Sequence, residues 1–379
     1  MIDFSLSADQ KAMQELARNF AKKEITPIAL QYDKESFDPG EILKKAHAAG
    51  LMNLTTPKPY GGHGLGLLEA ALITEELNAG CSGIGGMITI NSLACGPILV
   101  GGTDEQKKRF LIPLCESGKT ASFGLTEREA GSDAAGVKTK AVRKGNQYVL
   151  NGQKCFITNA SFATLYTIFA TTDPSKGTKG ITAFVVPRET PGVSIGKVED
   201  KMGQRALNVA EVNLDDVVID AANVLGSEGQ GFKIAMETLN EGRVNIATTA
   251  LGIARSAFEA SLAYAKTRKQ FGQTIGNFQA INFLLADMAA AVDASRLLTW
   301  YAASLCDQGS PFAREAAQAK LFASDTAMWL TTNAVQIHGG YGYIKEYMVE
   351  KLMRDAKLTQ IYEGTNQVNR IVAGGALMR

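Results

Sequence analysis

The chain runs through three rhythms of apolar and polar residues. The first third is helical: Met13, Leu16 and Phe20, with the small Ala17 and Ala21, recur three or four positions apart, the spacing that stacks side chains on one helix face. Ser7 and Gln10 precede this run as a Ser-x-x-Gln capping box, and Pro27 interrupts it. Asp38-Pro39-Gly40-Glu41 is a second start signal, with a capping acid, an early proline and a glutamate three residues on. The helix it opens carries Ile42 and Leu43 and should stop near Gly50. Further helices are predicted over 67–77, along the apolar stretch 87–100, and from Thr103-Asp104-Glu105. The glycines at 61, 62, 64 and 66 fit no dinucleotide or Walker pattern and read as a mobile loop.

Near Thr120 the period shortens. Tyr148-Val149-Leu150, Asn151-Gly152 and Lys154-Cys155-Phe156-Ile157-Thr158 read as a β-hairpin turning at Asn151-Gly152. Strand-like runs follow at 165–170, 181–186, 193–195 and 209–214, which predicts a small β-sandwich or barrel. From Gly231 the helical period returns in long stretches, 234–268, 278–308 and 311–337, then 349–358 and a last helix after Thr365. Long helices with short connections predict an antiparallel four-helix bundle. The fold class is therefore multidomain α+β: a helical domain over 1–119, a β-domain over 120–230 and a helix bundle over 231–379.

Composition narrows the function. A net charge of +1 over 379 residues gives no basic face for nucleic acid or an anionic membrane. The sequence reads as having no apolar run of roughly 18 residues, so no transmembrane helix is expected. Met1-Ile2-Asp3-Phe4 opens directly into the amphipathic pattern, without a signal or transit segment. Five cysteines without CxxC spacing, and three distant histidines, point to reduced thiols in a cytoplasmic protein and to no metal site.

The candidate chemistry lies in Tyr362-Glu363-Gly364-Thr365-Asn366-Gln367: a carboxylate, a glycine that lets a flat ligand approach, and polar side chains that can bond it. Alone, this also describes a solvated helix end. Thr158 can serve a ring nitrogen or be an ordinary strand residue. Arg268 suits a helix C-terminus as well as a diphosphate.

The order of the segments is more specific than any one of them. Phe123-Gly-Leu-Thr-Glu127, Ala130-Gly-Ser-Asp133, Asn151-Gly-x-Lys154, Phe156-Ile-Thr-Asn159, Lys201-Met-Gly203, Arg268-Lys-Gln-Phe-Gly272, Gln336-Ile-His-Gly-Gly340, Met353-Arg-Asp-Ala-Lys357 and Ile361-Tyr-Glu-Gly-Thr365 resemble, over essentially the whole chain, an acyl-CoA dehydrogenase of the bacterial short-chain (butyryl-CoA) branch. The resemblance implies a homotetramer with one FAD per subunit, an acyl-CoA substrate and an electron-transferring flavoprotein as partner. It implies that Glu363 takes the α-proton while flavin N5 takes the β-hydride. Phe123, Leu125, Thr126, Ser132, Phe156 and Thr158 would line the flavin and its ribityl side. Arg268, Gln270, Phe271, Gln279, Gln336, Gly339 and Gly340 would hold the diphosphate and adenosine, partly across subunits. Thr365 and Gln367 would contact FAD beside the base. Ser132, Arg243 and Asn240 would meet CoA, with Tyr362 and Gly364 at the substrate.

Some relatives carry the base at the position of Gly242, so Glu363 remains the assignment here, and Glu241, the nearby rival, reads as a surface acid or an acid at the mouth of the CoA site. Asn240 replaces a usual Asp, and Arg128 a usual Pro. No arginine occurs in 87–93, which argues against a dicarboxylic acyl group, and Thr89 and Asn91 are candidates for acyl specificity. The alternatives are an enoyl-CoA reductase working in reverse, an oxidase (which usually has a longer C-terminus), and the DNA-associated branch of the fold, which the charge disfavours.

Overall fold

The computed structural model describes residues 4–34 and 38–378, so the Met1-Ile2-Asp3 opening lies outside it. Helix α1 (Ala8–Phe20) starts at the expected capping box, with both reciprocal bonds between Ser7 and Gln10 made. Around Pro27 the helix loosens into a π-turn (Ala21–Ile25) and tightens into a 3₁₀ turn (Thr26–Ile28) before α2 (Ala29–Lys34). Asp38 accepts from Gly40 N at 2.9 Å at the start of α3 (Gly40–Ala48). Helix α4 (Leu67–Gly80) is buried on nearly all sides, and its Glu75 and Glu76 are paired inside the protein with Arg18, Arg255 and Arg296. That buried ion cluster fastens the N-terminal helices to the C-terminal bundle.

Three expectations need correction. The 87–100 stretch is two helices, α5 (Ser82–Thr89) and α6 (Asn91–Gly101), meeting at Ile90. Together Ser82–Gly101 are long and apolar enough to cross a bilayer, contrary to the reading of the sequence; here 61% of that window is buried inside the protein as core. The glycine loop at 61–66 is laced down rather than mobile: His63, Gly64 and Leu65 donate to the carbonyls of Asn53, Thr56 and Leu54. Helix α7 (Asp104–Ser117) then starts at a second capping box, Thr103 with Gln106.

The β-block holds β1 (Ala121–Gly124), β2 (Lys140–Lys144), β3 (Gln147–Thr158), β4 (Leu165–Thr171), β5 (Ile181–Pro187), β6 (Val193–Val198), β7 (Val209–Asp220) and β8 (Val224–Leu225). The strand order is β6-β7-β3-β2-β4-β5-β8, with β1 beside β4. A single pair, Lys140 with Thr171, joins the two halves. They face each other over a core that includes Tyr148, Ile157, Phe184 and Val212. The expected hairpin at Asn151-Gly152 does not exist: β3 runs straight through it, and the chain turns at Gly145-Asn146 instead. Asn151-Gly152 marks a bulge where the register against β7 shifts, and Asn151 exchanges two hydrogen bonds with Asp216. A β-carbon at Gly152 would sit 2.5 Å from Thr139 Oγ1, so close strand approach explains that glycine.

The bundle is α8 (Gly231–Thr267), α9 (Gln279–Asp307), α10 (Ala313–His338) and α11 (Met348–Thr359), with α12 (Asn366–Leu377) laid on α10. Its core uses small residues at the contacts, such as Ala250, Ala254, Ala319, Ala323 and Ala327, which lets the helices approach closely. Between α8 and α9 lies a two-stranded ribbon, β9 (Lys269–Gln270) with β10 (Gln273–Thr274).

Candidate active site

Glu363 lies in the turn between α11 and α12, at φ 54°, followed by Gly364 at φ 85°. A side chain other than glycine in this left-handed region costs about 1–2 kcal/mol, so the surroundings must hold it. Lys320 Nζ and Asn369 Nδ2 each donate to the Gly364 carbonyl at 2.8 Å. Thr365 caps α12 by accepting from Val368 N at 3.2 Å. The Tyr362 hydroxyl accepts from Gln204 Nε2 at 3.4 Å. Gln204 N donates in turn to the buried Asp355 carboxylate, which also accepts from Ser82 Oγ and Lys351 Nζ. Helices α5 and α11 and the 201–207 loop are thus tied together beneath the turn.

The Glu363 Oε2 is shielded from solvent and has no hydrogen-bond partner. A β-carbon on Gly242 would lie 2.8 Å from it and 3.4 Å from Leu93 Cδ1, so Gly242 is the space in front of the carboxylate. Burial pushes the Glu363 carboxyl up to about 7, against the opposing pull of Arg243 and Lys320. Arg243 is itself buried; its Nη1 donates to Asn240 Oδ1 at 2.7 Å and its Nε is unpartnered. Glu241 is half-buried, and burial, with the charge of Asp307, raises its carboxyl. Asn91 needs correction as a substrate contact. It is fully buried, its amide donates to Asn53 Oδ1 and Lys119 O, and its Oδ1 accepts from Ala121 N, so it joins α6 to β1. Thr89 is half-buried and donates to Gly85 O. Asn245, one turn along α8 from Gly242, donates to Ser92 Oγ at 3.2 Å and ties α8 to α6.

A second group of residues forms a strip on the β-block. Phe123 lies in β1, Leu125 and Thr126 follow it, Phe156 and Thr158 end β3, and Thr126 O accepts from Cys155 N. The register slip between Lys154 and Ile157 turns Phe156 outward, at φ 57° and 63% exposed. Leu125 packs with Ala94, Cys95 and Ala235, so the strip rests on α6 and on the same half of α8 that carries Gly242. Lys154 Nζ fixes it from below, donating to Leu125 O at 3.1 Å and Glu127 Oε1 at 2.7 Å. Ser132 is exposed on the neighbouring loop.

A third group sits at the far end of the bundle. Arg268, Gln270, Gly339 and Gly340 line a cleft of about 430 Å³ with Tyr264 and Tyr341. Phe271, at the tip of the ribbon, is 91% exposed with φ 50°. Gln279 and Gln336 are exposed at the facing ends of α9 and α10, and Gln367 on α12. From Gly242 to Arg268 there are 26 residues of one helix, roughly 39 Å at about 1.5 Å per residue. Gly242, in front of the Glu363 carboxylate, and this cleft therefore lie far apart along α8.

The sequence reading missed Lys154, Gln204, Asn245 and Lys320. Lys320 left a signal: Ala316, Ala319, Ala323 and Ala327 place it on the apolar face of α10, where a lysine needs an internal partner.

A shielded carboxylate, partnerless at Oε2 and raised toward neutrality, is suited to taking a proton, as an enzyme's general base does. The chain belongs to the acyl-CoA dehydrogenase family: the family's N-terminal, middle and C-terminal domains match residues 7–118, 122–217 and 229–378. It is 44% identical to the short-chain-specific acyl-CoA dehydrogenase of Clostridium acetobutylicum, over 100% of both chains. It is also 44% identical to the acryloyl-CoA reductase (NADH) of Anaerotignum propionicum, over 100% of this chain and 96% of that one. Among solved structures, butyryl-CoA dehydrogenase from Megasphaera elsdenii superposes with a TM-score of 0.96 at 45% identity, covering 100% of both chains. A chain from a structural study of the electron transferring flavoprotein of Acidaminococcus fermentans superposes at 0.98 and 47%, again covering 100% of both. FAD is the cofactor of this family, as in PigA solved with FAD and proline, at 30% identity and a TM-score of 0.94 over 100% of this chain and 99% of that one. The residues here fit it: a cationic cleft for a diphosphate, outward aromatic residues at Phe156 and Phe271, and a partnerless carboxylate oxygen.

Proposed function

We propose that this protein oxidises a short-chain acyl-CoA (straight, branched or cyclic) to the 2-enoyl-CoA with Glu363 as base, and passes the electrons to an electron-transferring flavoprotein. The Glu363 carboxylate carries the reading: it is shielded, unpartnered at Oε2, and raised by burial to near neutrality. A free glutamate, near 4.3, matches a thioester α-carbon poorly, whereas a carboxylate near 7 is both ionised and basic at working pH. Gly242 leaves room for the α-carbon, and the α-proton moves to a Glu363 oxygen. Negative charge then grows on the thioester oxygen. The Glu363 N–H, which no acceptor takes among the described residues, is a donor for it. Leu93 and the buried side chain of Arg243 help keep water from the carboxylate. Bound along the Phe123–Thr126 and Phe156–Thr158 strip, FAD supplies the two-electron acceptor.

Short-chain and butyryl relatives over the full length support the substrate class. The acryloyl-CoA reductase relative favours one second reading, the reverse reaction, in which Glu363 returns the proton. A stopped-flow panel of acyl-CoAs tests the proposal. Butyryl-CoA or a branched analogue should bleach the flavin band, at a rate that rises with pH through about 7 as Glu363 ionises. A pH-independent rate, or no bleaching by any short acyl-CoA, overturns it.

The separation of base and cleft supports a homo-oligomer, read as a tetramer, in which one subunit's Arg268 cleft completes the cofactor site of another. Glu363→Gln and Arg268→Ala homo-oligomers should each be inactive. Co-expressed, they should regain activity, because hybrid sites pair an intact Glu363 with an intact Arg268. Silent hybrids mean that each site is built within one subunit.

A further inference from the structure

Lys320 is fully buried on α10, and its ammonium donates at 2.8 Å to both the Gly364 carbonyl and Asn366 Oδ1. Gly364 follows the base directly, and both residues occupy left-handed backbone. Asn366 is held in turn, its Nδ2 donating to Ser324 Oγ and to Asp325 Oδ1. A buried ammonium is costly, and two neutral acceptors compensate it only partly. A structural need to satisfy one carbonyl would be met by an uncharged amide, as Asn369 Nδ2 already does for the same oxygen. The charge therefore calls for a reason, and the nearby carboxylate supplies one.

We propose that Lys320 is a positioning residue for Glu363: its ammonium locks the turn through the Gly364 carbonyl, and its charge holds the buried carboxylate ionised. This rests on Glu363 being the base. The charged and titratable groups around the two are Arg243 on α8, Asp325 on α10, and Tyr362 in the turn. Arg243 supports the same ionisation. Burial lowers Lys320 to about 8, so it is largely protonated through the lower half of the Glu363 transition and begins to lose its proton in the upper half.

The test compares FAD-loaded wild type with Lys320→Met and Lys320→Gln. Removing a cation raises the proton affinity of a carboxylate, so the pH at half-maximal flavin reduction by butyryl-CoA should rise in both variants. A rise of one pH unit slows reduction about tenfold below the midpoint. Lys320→Gln keeps an N–H for the Gly364 carbonyl and should recover limiting rate without recovering the midpoint. If Lys320→Met does not fold, Lys320→Gln carries the comparison. A readout independent of turnover is the melting temperature of the apoprotein against pH, corrected by that of Glu363→Gln: its inflection near 7 should move up in the Lys320 variants. Lower stability with both the rate midpoint and the inflection unchanged would make Lys320 merely structural. If instead Glu363→Gln reduces at the wild-type rate, the base assignment itself fails, which is a separate result.

Discussion

Glu363→Gln should purify yellow and stay yellow when butyryl-CoA is added. The loss in flavin reduction should be about 10²–10⁴-fold or more, the range for a positioned general base. Glutamine keeps the shape of the side chain and its place between Gly242 and Leu93, but an amide cannot accept the proton. A second, opposite effect is expected on stability. The folded Glu363 binds its proton more tightly than the unfolded one, with an affinity raised from 4.5 to about 7. The folded state therefore loses stability as pH rises through that window, by up to about 3 kcal/mol above it. Glutamine has no such loss, so the variant should gain stability over wild type above pH 7 and not below pH 4. An inactive variant that is also more stable at neutral pH marks a site strained for function. Bleaching at the wild-type rate would move the base elsewhere.

Lys154→Met should be the most damaging substitution in the β-block. Lys154 is fully buried and paired at 2.7 Å with Glu127. Glu127 also accepts from Lys138 N at 2.7 Å, from Thr139 N at 3.0 Å and from Thr139 Oγ1. Burial works to raise the Glu127 carboxyl, but the Lys154 charge and these donors together hold it below its usual range. Removing one partner of a buried pair strands the other and costs about 3–5 kcal/mol. Urea unfolding should show that loss. Flavin titration should show weaker FAD binding, because the Leu125 carbonyl is unpinned. Adding Glu127→Gln should recover part of the stability and less of the flavin affinity. A loss below about 1 kcal/mol would mean the pair is screened like a surface one.

The errors in reading the sequence share a cause. Asn151-Gly152 has the side chains of a tight turn, but that pair is also what a bulge needs when strand β2 crosses closely. Gly145-Asn146, separated from that pair by the four residues 147–150, is where the chain turns. Local chemistry was ambiguous, and the packing of β3 between β2 and β7 chose. The 87–100 stretch reads as one apolar helix, whereas the structure has two helices meeting at Ile90. Lys154 and Lys320 look like ordinary surface lysines in a composition count. Only their partners, 27 and 44 residues away in the chain, show that they hold the loop after β1 and the turn at Glu363.

By itself the sequence determined the helix starts at Ser7 and Thr103, the long bundle helices, the three-part order of the chain, and the identity of Glu363 as the base candidate. These depend on residues within a few positions of one another, or on motif order. The tertiary structure decided what Glu363 is chemically. Its raised proton affinity comes from burial, its open face from Gly242, and its turn from Lys320 and Asn369. The tertiary structure also parted Glu363 from the Arg268 cleft by most of the length of α8. Proton affinity is a property of the space around a group, and that space is assembled from helices far apart in the chain.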